Sequence, residues 1–331
     1  MKTDFSTAFA DKKALVTGGS GFIGSNLARR LVSLGAQVTL VDNFAPNLGG
    51  NPYNLHDISN QIKLVTTNIN NEKEMAVVIP GQDYLFNLAG QVSHLDSMLD
   101  PQNDLEVNAL AQVALLEMCR KWNPEIRIVY AGTRQVYGRP HYLPVDEAHP
   151  IEPVDFNGVS KMAGEWYHSI CHKVYGMHTT VLRMTNVYGP RMRVKDARKT
   201  FVGIWFRQLI EGTEITIYGT GKQIRDFTYV EDVVDALLLS ACQPQAEGQV
   251  YNLGAHPISL LELAELLVKI NGSGSYRFEP FPAERLRIDI GDYYANTARI
   301  VTQLGWKPAI PLDAGIELTL DYYRKNRQHY F

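Results

Sequence analysis

Residues Thr17-Gly18-Gly19-Ser20-Gly21-Phe22-Ile23-Gly24 decide the fold. Ahead of them, Lys13-Ala14-Leu15-Val16 is a short apolar run that reads as a buried first strand. Behind them, Ser25 to Val32 has the apolar spacing of a helix. Glycine at 18, 21 and 24 lets the chain turn sharply, lets a pyrophosphate approach the backbone and lets helix pack on strand. The helix start then offers N–H groups and a positive dipole end to that phosphate. Asp42 closes the next apolar run, Gln37-Val38-Thr39-Leu40-Val41, about 20 residues past the loop, where an acid binds an adenosine ribose. A carboxylate there repels a 2′-phosphate, so NAD is expected rather than NADP.

The rest of the chain follows the rhythm this unit sets. Strand-like runs at 61–65, 84–89, 127–131 and 179–183 alternate with helical patterns, which predicts an α/β protein with a doubly wound parallel sheet of the Rossmann type. The pattern changes after Asn186-Val187-Tyr188-Gly189-Pro190. A helix near Phe201 to Glu211 and a short strand at Glu214 to Tyr218 follow, and Val250 to Gly254 reads as a return to the sheet. Residues 1–189, with a return segment at about 226–256, are expected to form the cofactor domain. Residues 190–225 and 257–331 are expected to form a smaller, interleaved domain.

Composition narrows the function. With 331 residues the chain has ample core, and 45% hydrophobic with 20% charged residues is ordinary for a soluble enzyme. A net charge of −3 gives no general attraction to nucleic acid or an anionic membrane. Cys119, Cys171 and Cys242 are unclustered, so neither a disulfide framework nor a metal site is expected. Met1 to Lys13 contains Asp4 and Asp11 and no apolar core, unlike a signal peptide. A reduced, cytoplasmic setting follows as the expectation.

Several further stretches carry a family resemblance: Asn87-Leu88-Ala89-Gly90, Asn108, Thr133 to Gly138, Lys161, Arg183 to Pro190, Gly219 to Tyr229 and Leu304-Gly305-Trp306. Together with the glycine loop, and over nearly the whole chain, they resemble the extended short-chain dehydrogenase/reductases of the NAD-dependent nucleotide-sugar epimerase and dehydratase group. The likeness is strongest to UDP-hexose 4-epimerases, with a partial likeness to CDP-paratose 2-epimerases between Ala89 and Gly138. The resemblance implies that NAD lies against Gly18, Gly21, Phe22, Ile23, Gly24, Asp42, Asn43, Asn68, Ile69, Leu88, Ala89, Gly90, Asn108 and Lys161. It implies a nucleotide-diphosphate sugar (UDP, CDP or GDP linked) held by Asn186, Arg191, Arg225 and Arg285, with Arg287 the alternative to Arg285. It also implies a homodimer built on helices near Asn103–Lys121 and Asn157–Tyr175.

One position departs from the family. A Ser or Thr, a Tyr and a Lys normally move protons alongside the hydride, the Tyr and Lys sharing a helix face four residues apart. Thr133 and Lys161 match, but the residue four before Lys161 is Asn157. An amide cannot act as a general base, although it can orient a sugar hydroxyl, and Asn157 is counted among the catalytic candidates in that role. Tyr137, His94 and Lys161 are the candidate acceptors in its place. Arg134 and Gln135 stand where dehydratases carry an Asp-Glu pair and decarboxylases a Glu, which argues against both reactions. An epimerase working through a 4-keto sugar is the leading expectation. A net dehydrogenase, and a protein that binds NAD and sugar without turnover, are the alternatives. The basic run Arg191 to Lys199 reads as a solvated loop or as an anion-collecting lid.

Overall fold

A computed structural model describes residues 5–46, 48–196 and 200–331. Seven strands form one parallel sheet: β1 (Lys13–Thr17), β2 (Gln37–Asp42), β3 (Ile62–Thr66), β4 (Tyr84–Asn87), β5 (Arg127–Thr133), β6 (Thr179–Met184) and, later in the chain, β10 (Val250–Asn252). Their spatial order is β10-β6-β5-β4-β1-β2-β3. The central strands are apolar on both faces, as β4 and β6, buried at every residue, illustrate. The order reverses between β1 and β4. The loops after these two strands therefore diverge to opposite sides of the sheet and leave a crevice at its C-terminal edge.

Helices cover both faces. Phe22–Ser33 and Val230–Cys242 pack together on one face, in a core with Leu27, Leu31, Val233 and Leu237. Ala111–Trp122 and Phe156–Tyr175 cover the other, with Leu115, Leu116 and Cys171 buried. The N-terminal segment is less polar in effect than its composition suggests. Phe5 and Phe9, around the Ser6–Phe9 helical turn, are buried in the first of these cores.

Beyond the sheet, β7 (Asn186–Tyr188), β9 (Ile224–Tyr229) and β11 (His256–Ser259) form a three-stranded sheet. A pair of short strands, β8 (Ile215–Tyr218) and β12 (Tyr276–Glu279), runs parallel. A separate core of Trp205, Phe206, Ile217, Phe227, Leu263 and Leu320 holds this region together. The segment read as returning to the main sheet thus divides: β9 belongs to the smaller sheet, and only β10 pairs with β6. Among the described residues no helix is long and apolar enough to cross a membrane, and no group of His, Cys, Asp and Glu could hold a metal ion.

Candidate active site

One cleft of about 760 Å³ runs along the C-terminal edge of the main sheet and reaches into the smaller region. Its first wall is the glycine loop. Gly18 has φ +65°, and a Cβ on it would stand 3.0 Å from the carbonyl of Leu88. A Cβ on Gly24 would stand 2.3 Å from the carbonyl of Gly18. Only glycine lets the loop lie this close to the β4 loop and to its own helix. Thr17 ties the two loops together: its hydroxyl donates to Asn87 and accepts from the N–H groups of Leu88 and Ala89. No side chain caps the N-terminus of Phe22–Ser33, and its first turn holds no acid. That leaves a positive helix end facing the cleft, which suits a pyrophosphate.

Asp42 ends β2 on the same wall. It accepts from the Ser20 N–H at 2.9 Å and the Phe44 N–H at 2.9 Å, which fixes its carboxylate at the cleft. Asn43, Asn68, Ile69, Leu88, Ala89 and Gly90 also line it. These residues fit NAD. Asn108 does not line the cleft, a correction to its reading as a cofactor contact. It is fully buried in a π-helical turn, Glu106–Leu110, within the helical stretch from Pro101 to Trp122. Its amide accepts from the Gln91 N–H and donates to the Gln91 carbonyl and to Asp104, so it positions the 90–93 segment from behind.

Thr133, Asn157, Lys161 and His94 all line the cleft. Thr133 ends β5, and its hydroxyl caps the following turn by accepting from the Gln135 N–H. Lys161 donates to the carbonyl of Ala131 at 2.6 Å and sits 4.5 Å over the Tyr130 ring. Burial brings its ammonium down to about 8, while Asp104 and Glu165 pull the other way. Asn157 does not turn its amide nitrogen toward a ligand. It donates to the Gln91 carbonyl at 2.9 Å and to Asp104 at 3.1 Å. His94 places Nδ1 2.9 Å from Asp155. Asp155 in turn caps the Phe156–Tyr175 helix through the Gly158 N–H and accepts from Gln135. Burial raises the Asp155 carboxyl, but the His94 ring and these donors hold it below the usual range.

Tyr137 is corrected as a candidate acceptor. It is fully buried away from the cleft, donating to Asn252 at 2.7 Å and accepting from Arg183 at 2.6 Å. Burial pushes its phenol up to about 12 against the pull of Arg183.

At the far end Asn186, Arg225 and Arg285 line the cleft, and Arg287 does not. Arg225 is buried, binds Asp289 at 2.9 Å and donates to the carbonyls of Ile224 and Gly291. Arg285 lies 5.4 Å over the Tyr218 ring. Arg191 is corrected as a substrate contact: it has φ +73°, and its guanidinium turns to Asn26 and the Tyr322 ring. The basic run is not simply a solvated loop. Met192 and Val194 are buried and Arg193 lines the cleft, while residues 197–199 lie outside the described residues. Sequence reasoning missed Asp104 and Asp155. Asp155 carries a readable signal, an acid just before an apolar helical run; Asp104 carries none.

Residues 14–254 match the family described as Epimerase, the NAD dependent epimerase/dehydratase family. A putative UDP-glucose 4-epimerase of Methanocaldococcus jannaschii is 32% identical, over 95% of this chain and 99% of that one. A CDP-paratose 2-epimerase of Salmonella typhi is 29% identical over 94% and 98%. The structure of a UDP-glucose 4-epimerase from Thermotoga maritima with UDP-glucose superposes with a TM-score of 0.86 at 30% identity, over 95% of this chain and 99% of that one.

Proposed function

The chain belongs to the NAD-dependent epimerase/dehydratase family, and on that premise we propose that it inverts a stereocentre of a nucleotide-diphosphate sugar through a 4-keto intermediate. The observation that carries the reading is the continuity of one cleft. The glycine loop and Asp42 stand at one end, Thr133, Lys161 and His94 in the middle, and Arg225 and Arg285 at the other. Bound NAD supplies a reversible hydride acceptor. Thr133 hydrogen-bonds the C4 oxygen. Lys161 holds the nicotinamide ribose and raises the local positive potential.

The proton acceptor is His94. Its Nδ1 stands 2.9 Å from the Asp155 carboxylate, a proximity that orients the ring and leaves Nε2 as the nitrogen to meet the reacting hydroxyl. Asn157, committed to Asp104 and Gln91, has no part in the transfer. Arg225 and Arg285 hold the diphosphate while the keto sugar turns its other face. Gln135, an amide engaged with Asp155, supplies no acid for elimination.

The test is to incubate the NAD-loaded protein with UDP-, CDP- and GDP-linked sugars, following products by NMR and reduced cofactor by absorbance. An epimer formed without added NAD supports the reading. Accumulating NADH means a net dehydrogenase, and binding without product means a protein that has lost turnover. Inversion at C2 instead of C4 would favour the second reading, a CDP-paratose-type 2-epimerase. That reading draws on Thr133 to Gly138 and on the 29% identical relative.

A further inference from the structure

Between β2 and β3 lies a short turn, Pro52–Leu55, that joins the glycine loop to the helical turn Arg327–Tyr330. Asn54, in the first of these turns, is fully buried. Its amide nitrogen donates to the carbonyl of Ser20 at 3.0 Å and to that of Arg191 at 3.4 Å, and its oxygen accepts from the Tyr330 hydroxyl. Two carbonyls on one side and a hydroxyl on the other fix which way the amide faces. Burial, and then the Tyr322 hydroxyl 2.7 Å away, push the Tyr330 phenol up, so it stays a donor. Ser20 belongs to the glycine loop. Its carbonyl also accepts from the Asn51 N–H at 3.1 Å, and its own N–H holds the Asp42 carboxylate. Neighbouring contacts seat the far turn: the His329 ring stacks on Tyr53 at 3.5 Å, and Tyr53 donates to Asn326 at 2.7 Å.

We infer that Asn54 and Tyr330 are positioning residues for the dinucleotide: the seating of Tyr330 on Asn54 holds Ser20 and Asp42 in the arrangement that retains NAD. Neither side chain lines the cleft, so both act through the glycine loop. Hydrogen bonds in series run from Tyr330 to Asn54, from Asn54 to Ser20 and from Ser20 to Asp42. Removing the hydroxyl leaves a fully buried amide oxygen without a donor, a defect relieved when Asn54 shifts and takes the Ser20 peptide with it. A loop that visits other arrangements binds the pyrophosphate only in the fraction of molecules where it is correctly placed, and apparent affinity falls by that fraction. Retention matters most to the proposed epimerase, in which the hydride returns to the sugar that gave it. The series of bonds itself depends only on NAD being the cofactor.

The experiment follows exchange of bound NAD for isotopically labelled NAD in the NAD-loaded protein, with UDP affinity and the unfolding midpoint measured alongside. Tyr330→Phe keeps the ring and loses only the donor, and it should release NAD about tenfold faster than the wild type. Asn54→Ala should release it at least as fast. Adding Tyr330→Phe to Asn54→Ala should change the rate no further, because the two side chains act in one series. UDP, bound at the Arg225 end, should keep its affinity in every variant. If Asn54→Ala does not fold, Tyr330→Phe decides alone. Exchange at the wild-type rate in Tyr330→Phe overturns the inference, and a lowered midpoint beside it would assign the bond to folding only. An acceleration that persists in full on top of Asn54→Ala, or an equal loss of UDP and NAD affinity, overturns it too. Exchange is read without a sugar, so a failure to form an epimer would count against the proposed function and not against this inference.

Discussion

Asn157 donates from its amide nitrogen to the buried carboxylate of Asp104 across 3.1 Å. The residue standing where the family's tyrosine is expected is therefore one of three amides, with those of Gln91 and Asn108, that donate to one oxygen of a buried carboxylate. The second oxygen of Asp104 has no hydrogen-bond partner, which makes the amide's contribution harder to replace.

Asn157→Asp is nearly isosteric but replaces that donor with an acceptor. Two carboxylates would then meet in a buried site, and the expected cost is about 3 kcal/mol or more at pH 7. The new carboxyl would have its folded pKa raised above the unfolded value. Its protonated form can donate to Asp104, so the deficit should be smallest at low pH and grow as pH rises through the folded pKa. Urea denaturation of both proteins at pH 5 and pH 8 measures this. An unchanged midpoint at pH 8 would remove the Asn157–Asp104 pair.

Replacing His94 tests the acceptor. His94→Ala should lower kcat by about a hundredfold or more while leaving NAD affinity intact. Adding Asn157→Tyr to that variant puts a phenol one helical turn from Lys161, where the cation favours phenolate, and should restore part of the rate. Full activity in His94→Ala would hand the role to another group on the cleft, Lys161 first among them.

Asp42 should give NAD at least a tenfold advantage over NADP, about 1.4 kcal/mol. Because its carboxylate also holds the Ser20 and Phe44 N–H groups, Asp42→Asn is the cleaner variant: it removes the charge and keeps acceptor capacity. Its NADP affinity should rise toward its NAD affinity. Equal affinities in the wild type, read by calorimetry, would remove the ribose assignment.

Much of this architecture was legible because it is local. The glycine loop, Asp42 and the apolar runs of the central strands are contiguous in sequence, and the βαβ rhythm forces a parallel sheet with its crevice at the β1/β4 divergence. What escaped depends on contacts between distant segments. No spacing rule pairs Asn157 with Asp104 or His94 with Asp155. Tyr137 sits in a recognisable motif, yet its direction is set by Asn252 and Arg183, each brought to it by another strand. The reach of Arg191 was hidden in a left-handed backbone turn that its composition does not announce.

The outer face of the paired helices on one side of the sheet should form a homodimer. Leu99 is 76% exposed and Trp166 55%, and Leu110, Val159, Ile170 and Val174 are exposed beside them. The helices carrying most of these pack side by side, so their outward apolar side chains form one surface of the kind that subunit contacts cover. Light scattering at micromolar concentration should give twice the chain mass, and Trp166→Glu should shift it to the monomer. A monomeric wild type would overturn this.

Lys161 should carry a pH signature in stability. Its folded pKa of about 8 lies below the ordinary lysine value of 10.5, with burial the main cause. Below pH 8 both states hold the proton, and the native state bears the full cost of a desolvated ammonium. Between about 8 and 10.5 the unfolded chain binds more protons than the folded one, so stability rises with pH. Lys161→Met removes the titration and retains much of the side-chain volume. The variant should therefore be the more stable protein at pH 7, and its advantage over the wild type should shrink by up to roughly 3 kcal/mol between pH 8 and pH 10.5. Urea midpoints for both proteins across that range, with cofactor removed, supply the comparison. A difference that stays constant with pH would mean that Lys161 is solvated or ion-paired in solution, and not held against Ala131 and Tyr130.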